Sequence, residues 1–428
     1  MIRIIDGYDA GAVGRLLKRK TERDESIQQT VRGIVEDVRR RGLDAALEYT
    51  ARFDGAKLTP GSVEVTRAEI DDAYAAASQT FIDALRRAAD NIRAYHEKQK
   101  RLTWIDFQPD RAMGQLVLPI GRAGIYAPGG RAGYPSTALM NAIPARVAGV
   151  SEIVMATPPG PDGRASYTAS LVAADIAGVD RIFKLGGAQA VAALAYGADP
   201  VPAVDKIVGP GNVFVQGAKR MVFGQVGIDS VAGPSEVLVI ADDTARPDWA
   251  AADMLAQAEH DPDAAALLVT PSRRLAEAAL AEAAAQFNKR GRQAVLERSL
   301  RDNAAAIIVR DIDEAVDLAN YIAPEHLELC VADPFALLGK VRNAGAVFIG
   351  HYTPESAGDY LAGPNHVLPT NGTARFFSPL SVDDFTKKTS VLRYSREALM
   401  AAADDIETLA LAEGLDAHAY AVTVRRGK

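Results

Sequence analysis

Three short runs hold most of the residues able to do chemistry. Gln257-Ala258-Glu259-His260 ends a helix expected to begin near Pro247, a good first-turn residue. Positions three apart share a helix face, so Gln257 and His260 converge on one point and offer two N/O donors, half of a metal site. A polar helix end facing water is the commoner cause of that spacing. Pro324-Glu325-His326 enters a short strand. Adjacent strand positions point in different directions, so the acid and the imidazole can serve different proton transfers. Imidazole, with its pKa near neutrality, is the usual general base, and a capped turn is the bland alternative. Glu355-Ser356-Ala357-Gly358-Asp359-Tyr360 and Gly363-Pro364-Asn365-His366 form a polar, glycine-rich loop of the kind that often carries function. His418 lies in the C-terminal tail, while His96 and His351 read as surface or structural residues.

Composition narrows the choices. The chain of 428 residues has one cysteine, Cys330, and six histidines. One thiol excludes an intrachain disulfide framework and a thiolate-cluster metal site, and it fits a reducing cytosol. Any transition-metal site must then be built from imidazole, carboxylate and amide donors far apart in sequence. With 48 Lys+Arg against 55 Asp+Glu, the formal net charge of −7 leaves no basic excess for a nucleic-acid backbone. No apolar run approaches the ~18 residues of a membrane span, and Met1–Asp6 carries no signal-peptide core. A soluble, cytoplasmic protein is expected, with neither nucleic acid nor membrane as partner.

The elements that must position these residues follow from periodicity. Ile27, Val31, Ile34, Val35 and Val38 recur at helical spacing, as do Phe81, Leu85 and Ile92, so the first hundred residues read as helices. From about residue 115 strands alternate with helices. Strands at Gly124–Ala127, Arg181–Leu185 and Lys206–Val208 run into Pro128-Gly129-Gly130, Gly186-Gly187 and Gly209-Pro210-Gly211; a further strand covers Glu152–Ala156, and Ser136 is expected to cap a helix. Such turns place helix N-termini where phosphates can bind, although no G-x-G-x-x-G is present and glycine turns serve any α/β fold. After the strand Glu236–Ile240, a second series places strands at Ala266–Val269, Ala306–Val309, Leu327–Val331 and Ala346–Ile349. Helices over Arg273–Phe287 and Asp313–Tyr321 separate them. The fold class is α/β: two Rossmann-like parallel-sheet modules, an N-terminal helical region and a C-terminal helical tail.

AGPSE (Ala232–Glu236), QAEHDPDA (Gln257–Ala264), APEHLEL (Ala323–Leu329), ESAGDYLAGPNHVLPT (Glu355–Thr370), SPLSVDDFTKK (Ser378–Lys388) and AEGLDAHAYAV (Ala412–Val422) resemble histidinol dehydrogenases in order and in wording. GIYAPGG and VGPGN do as well. The likeness covers nearly the whole chain and is least diagnostic over the first hundred residues. It implies oxidation of L-histidinol to L-histidine through the aldehyde, with NAD+ and one Zn2+ per subunit. The zinc ligands would be Gln257, His260, Asp359 and His418. His326 would be the base for the alcohol proton, and Glu325 would activate water. Ser235, Glu355, His366 and Glu413 match substrate-contacting positions, together with the zinc ligands and His326; Tyr126, Gln189 and Asn212 match NAD-contacting positions. The resemblance also implies a homodimer whose tails cross to the neighbouring subunit, so that Glu413 and His418 complete the partner's site. Asp229-Ser230-Val231 is less typical of the family and carries none of these roles.

The expected division is a helical segment over 1–24, a larger discontinuous domain over 25–114 and 237–370, an NAD-binding domain over 115–236, and a crossing tail over 371–428. Three rivals remain. They are a relative oxidising another amino alcohol, a zinc hydrolase using Glu325 on an acyl substrate, and a catalytically silent binding protein. The glycine-rich module opposes the hydrolase, and retention of Glu325 with His326 opposes the silent protein.

Overall fold

The computed structural model describes residues 2–7, 25–129 and 133–427. The chain divides into two compact units, Met1–Gln99 with Gly121–Phe385, and Lys100–Ile120 with Thr386–Lys428.

The first unit holds two parallel sheets. One comprises β4 (Arg122–Tyr126), β5 (Glu152–Thr157), β6 (Arg181–Lys184), β7 (Lys206–Val208) and β8 (Gly227–Ile228), in the order β6-β5-β4-β7-β8. All of its pairings are parallel. The expected helix cap at Ser136 is corrected: the helix runs Pro135–Ala148 with Tyr134 at the cap position, two residues earlier, because the fixed φ of Pro135 suits the first helical position. The N-terminal helix Glu25–Arg41 buries Val31, Ile34, Val35 and Val38 in one stripe. That stripe packs with Val154, Phe183, Val191 and Val215 of the first sheet and its helices. Among the described residues, this helix therefore shares a core with the first sheet.

The other sheet comprises β1 (Arg3–Asp6), β9 (Glu236–Ala241), β10 (Ala265–Thr270), β11 (Ala304–Ile308), β12 (His326–Cys330) and β13 (Ala346–Ile349). Its order is β1-β11-β10-β9-β12-β13, again all parallel. Strands buried on both faces become nearly continuous apolar runs, which is why β9, β10 and β12 were visible in the sequence. Met254, Leu255, Leu275 and Leu296 cover one face, and Val316, Leu318 and Ile322 cover the other. The expected helical segment over 1–24 lies mostly outside the described residues. Its Arg3–Asp6 portion is strand, paired in register with Ala305–Ile308.

The second unit is an antiparallel sheet, β14-β3-β2, formed by β2 (Trp104–Phe107), β3 (Arg111–Pro119) and β14 (Thr386–Tyr394). Helices Arg396–Ala412 and Asp416–Thr423 follow. The tail's α-helices thus begin at Arg396, after two short 3-10 turns and β14. β14 escaped detection because it is an edge strand whose residues are mostly exposed and carry no apolar alternation. Among the described residues no helix is long and apolar enough to cross a membrane.

Candidate active site

His326 is the first residue of β12 and lies between Val237 on β9 and Ala346 on β13. The helix Ile312–Ile322 stops at Ala323, which takes φ 54°, and Pro324-Glu325 then turns into the strand. Gly345 permits the neighbouring chain to close on this turn, since a Cβ there would sit 2.5 Å from the Glu325 carbonyl oxygen. Gly345 and Ala346 donate N–H bonds to the carbonyls of Pro324 and Glu325, at 2.9 Å each. The backbone carrying the acid and the imidazole is therefore fixed on both sides.

Both side chains are buried. Glu325 Oε2 accepts the Glu236 N–H at 3.1 Å. His326 Nδ1 donates to the Glu236 carbonyl at 3.2 Å, which assigns the tautomer and leaves Nε2 bare. Nε2 is buried with no hydrogen-bond partner, 3.9 Å from Asp359 Oδ1. Burial pushes the imidazole pKa down to about 3, so the ring is neutral near pH 7. Phe348 flanks the ring, with centroids 5.8 Å apart.

The helix Glu355–Tyr360 supplies two carboxylates one turn apart. Gly358 lets it lie on Phe348, because a Cβ there would fall 2.7 Å from the ring. His260, Glu355 and Asp359 offer ligand atoms that all lie within 4.8 Å of one another. The amide nitrogen of Gln257, buried at the end of its helix, donates to the two Glu355 oxygens at 2.8 and 3.0 Å. Its oxygen is thereby left clear of the carboxylates, with lone pairs suited to a metal. Burial raises the Glu325 and Glu355 carboxyls well above the usual range and pushes Asp359 up to about 7. It also lowers His260, and it takes His366 to about 4. A dication among these donors would supply the charge that makes ionised carboxylates and neutral imidazoles favourable here, so the donor set fits a metal. His366 Nδ1 donates to the Asp359 carbonyl at 3.1 Å. It lines a cavity of 130 Å³ with Phe348, Gly358 and Asp359.

The structure therefore brings together Gln257, His260, Glu325, His326, Glu355, Asp359 and His366, with Ser235 next to Glu236 on the same unit. Glu413 and His418 belong to the second unit, where both are exposed and His418 lies in the helix Asp416–Thr423. His96 is a core residue hydrogen-bonded to Ile92.

At the first sheet, Tyr126, Gln189 and Asn212 stand at the carboxyl ends of strands. The Tyr126 hydroxyl accepts the Gly187 N–H at 3.0 Å. Asn212 caps its helix, its Oδ1 accepting from Phe214 and Val215 at 3.0 and 3.1 Å. Gly209, at φ 117°, lies so near Tyr126 that a Cβ would collide with the tyrosine carbonyl oxygen. Its loop is clamped by a buried pair that the sequence did not reveal. Lys219 Nζ donates to the Gly209 carbonyl at 2.9 Å, Asp229 accepts the Gly209 N–H at 2.8 Å, and the two side chains form an ion pair. Asp229 thus has a structural task that sequence reasoning did not assign.

Glu328 was missed too. It is buried on β12 and accepts the Glu355 N–H at 2.8 Å, fixing the start of the helix that carries Glu355 and Asp359. A lone acid inside the apolar run Leu327–Cys330 was the available signal.

Residues 17–426 match the family described as histidinol dehydrogenase. The chain is 56% identical to the histidinol dehydrogenase of Heliobacterium mobile over 427 residues, 99% of each chain. It is 52% identical to that of Moorella thermoacetica over 428 residues, covering 99% of this chain and 100% of the relative. The crystal structure of histidinol dehydrogenase from Elizabethkingia anophelis superposes with a TM-score of 0.94 at 37% identity, over 100% of this chain and 98% of that one. With full-length likeness in sequence and in fold, the chain belongs to the histidinol dehydrogenase family.

Proposed function

We propose that this chain oxidises L-histidinol to L-histidine through L-histidinal, the final step of histidine biosynthesis, in the cytoplasm. The observation that carries the reading is His326: Nδ1 is committed to the Glu236 carbonyl, and a bare, buried Nε2 faces the cluster of metal-type donors. Gln257, His260 and Asp359 would hold the zinc with His418, and Glu355 stands beside them. When bound, Zn2+ would supply an anchor for the substrate's nitrogen donors, and two molecules of NAD+, one in each oxidation, would each accept one hydride.

The protein's own groups account for the proton transfers. His326 Nε2 takes the proton of the C1 hydroxyl in the first oxidation. Glu325 takes a proton from the water that adds to the aldehyde carbon. Its pKa, raised by burial, makes it a stronger base than an exposed carboxylate, and the Glu236 N–H holds one of its oxygens in place. His326 serves again for a hydroxyl of the hydrated aldehyde. The buried setting keeps bulk water from the intermediate. Ser235, Glu355, His366 and Glu413 would contact substrate, while Tyr126, Gln189 and Asn212 would contact NAD+.

The deciding experiment incubates zinc-loaded protein with L-histidinol and excess NAD+ and counts NADH. Two equivalents with histidine as product are expected. One equivalent would make it a simple alcohol dehydrogenase, and none would reject the reading. We further propose a homodimer in which Glu413 and His418 complete the neighbouring site. Mixed dimers of His418→Ala and His326→Ala subunits should then regain activity, and verified heterodimers without recovery would refute the crossing.

A further inference from the structure

The helix Pro135–Ala148 carries Pro144 in its interior. Proline has no N–H, so the carbonyl four residues earlier, that of Met140, loses its helical partner. Met140 is buried, where an unpaired carbonyl is costly. The missing donor comes from the loop after Asp359: Asn365 Nδ2 donates to the Met140 carbonyl at 2.6 Å. Asn365 is itself buried, with Nδ2 3.4 Å from Nε2 of the buried His96 and Oδ1 accepting the Val367 N–H at 2.9 Å. The helix Gln79–Glu97 grips the same loop again. Asn91 Nδ2 donates to the Leu361 carbonyl at 2.8 Å. Gly363, at φ 111°, lies so near that a Cβ would stand 2.7 Å from the Asn91 carbonyl oxygen.

What the loop carries gives these bonds their importance. Asp359 precedes the grips and His366 follows them, and His366 Nδ1 ties the two ends together by donating to the Asp359 carbonyl. Anchoring Asn365 therefore anchors the backbone of His366, one residue on, and through that bond the carbonyl of Asp359. Glu328 holds the other end of the segment, at the Glu355 N–H. We propose that Asn365 is a positioning residue for the reaction: it occupies the Met140 carbonyl that Pro144 leaves free, and so sets where His366 and Asp359 stand against substrate and metal. An amide suits the task, because it donates to the helix with its nitrogen while its oxygen accepts within the loop. A carboxylate could only accept, and an apolar side chain could do neither. This deepens the proposed function and rests on His366 contacting L-histidinol and Asp359 holding the zinc.

The test is calorimetric titration of zinc-loaded protein with L-histidinol in the absence of nucleotide. Asn365→Ala should weaken L-histidinol by about tenfold to a hundredfold, the effect of misplacing groups that touch the ligand. NADH affinity by fluorescence titration should match the parent. Asn91→Ala, which removes an exposed bond, should weaken L-histidinol in the same direction by about two- to fivefold. A purely structural role would lower resistance to urea and leave the affinity of the folded protein unchanged. Parental L-histidinol affinity in folded Asn365→Ala would therefore overturn the inference, and a parent yielding two NADH per histidinol would leave the proposed function standing. Should Asn365→Ala not fold, parental affinity in Asn91→Ala would overturn it instead. Wild type that neither binds nor oxidises L-histidinol would overturn both. A double-mutant cycle tests the proline. Pro144→Ala returns an N–H to the Met140 carbonyl, so Asn365→Ala should lower the urea midpoint less in that background than in the parent. Equal losses in both backgrounds would overturn the assignment of Asn365 to that carbonyl.

Discussion

The two parallel sheets of the first unit present sites at opposite ends of their strands. On the first sheet, the glycine-rich turns follow the carboxyl ends of β4, β6 and β7, where α/β folds ordinarily receive ligands. On the second, Glu325 and His326 stand at the amino end of β12, and Gln257 arrives from the C-terminal end of a helix that returns to that edge. The difference is chemical as well as positional. Backbone N–H groups and absent side chains shape the first site. The second is a cluster of acids and imidazoles whose protonation is set by burial. On the proposed function, one end would hold the dinucleotide and the other would move protons.

On that contrast, substitutions of His326 and Glu325 at the second edge should stop chemistry without freeing metal or nucleotide. The largest effect is expected from His326→Ala, which removes the bare Nε2. Turnover should fall by about 10²- to 10⁴-fold, the usual worth of a general base, with zinc content by metal analysis unchanged. Loss of zinc with the activity would assign His326 to the metal instead. Glu325→Gln comes next. It should slow oxidation of L-histidinal by about a hundredfold and that of L-histidinol far less, as followed in single-turnover experiments from each starting compound. Equal slowing of both would remove the water-activating role and leave Glu325 as a positioning group.

At the first edge the opposite pattern is expected. Gly209→Ala forces a Cβ toward the Tyr126 carbonyl at φ 117°, a strain of about 1–3 kcal/mol that the Lys219–Asp229 clamp cannot relax. NADH affinity should drop by about tenfold, while zinc content and L-histidinol binding stay as in the parent. A variant that instead loses metal would show that the two edges are not separable.

The same contrast explains what could be read before the structure. Continuous apolar runs such as Glu236–Ala241 gave both sheets, because burial on both faces writes itself into sequence. The glycine-rich turns were visible, but their meaning was not, since chain reversal alone demands them. At the second edge each residue had an ordinary alternative until family likeness joined them. Periodicity does not bring Gln257, His326 and Glu355 to one point; only the sheet order β9-β12-β13 does. Supporting residues stayed hidden for another reason. Glu328 and Asp229 act through backbone N–H groups, which leave no periodic trace.

The smallest predicted effect tests whether the first edge also stores unfavourable charge. The Asp54 carboxyl is raised to about 6 by burial, from an ordinary value near 3.8. Between those values the folded protein holds the proton more tightly than the unfolded chain, so stability falls as pH rises through that window and levels off above it. Asp54→Asn lacks the charge. In the absence of nucleotide it should match the parent below about pH 4 and exceed it above about pH 6. The gain should be about 1 kcal/mol, because solvent screens a partly exposed group. Urea unfolding of both proteins across that range provides the measurement. A pH-independent difference would place the cause in packing, whereas a gain confined to the higher pH would identify an ionised carboxylate that burial makes costly to the fold.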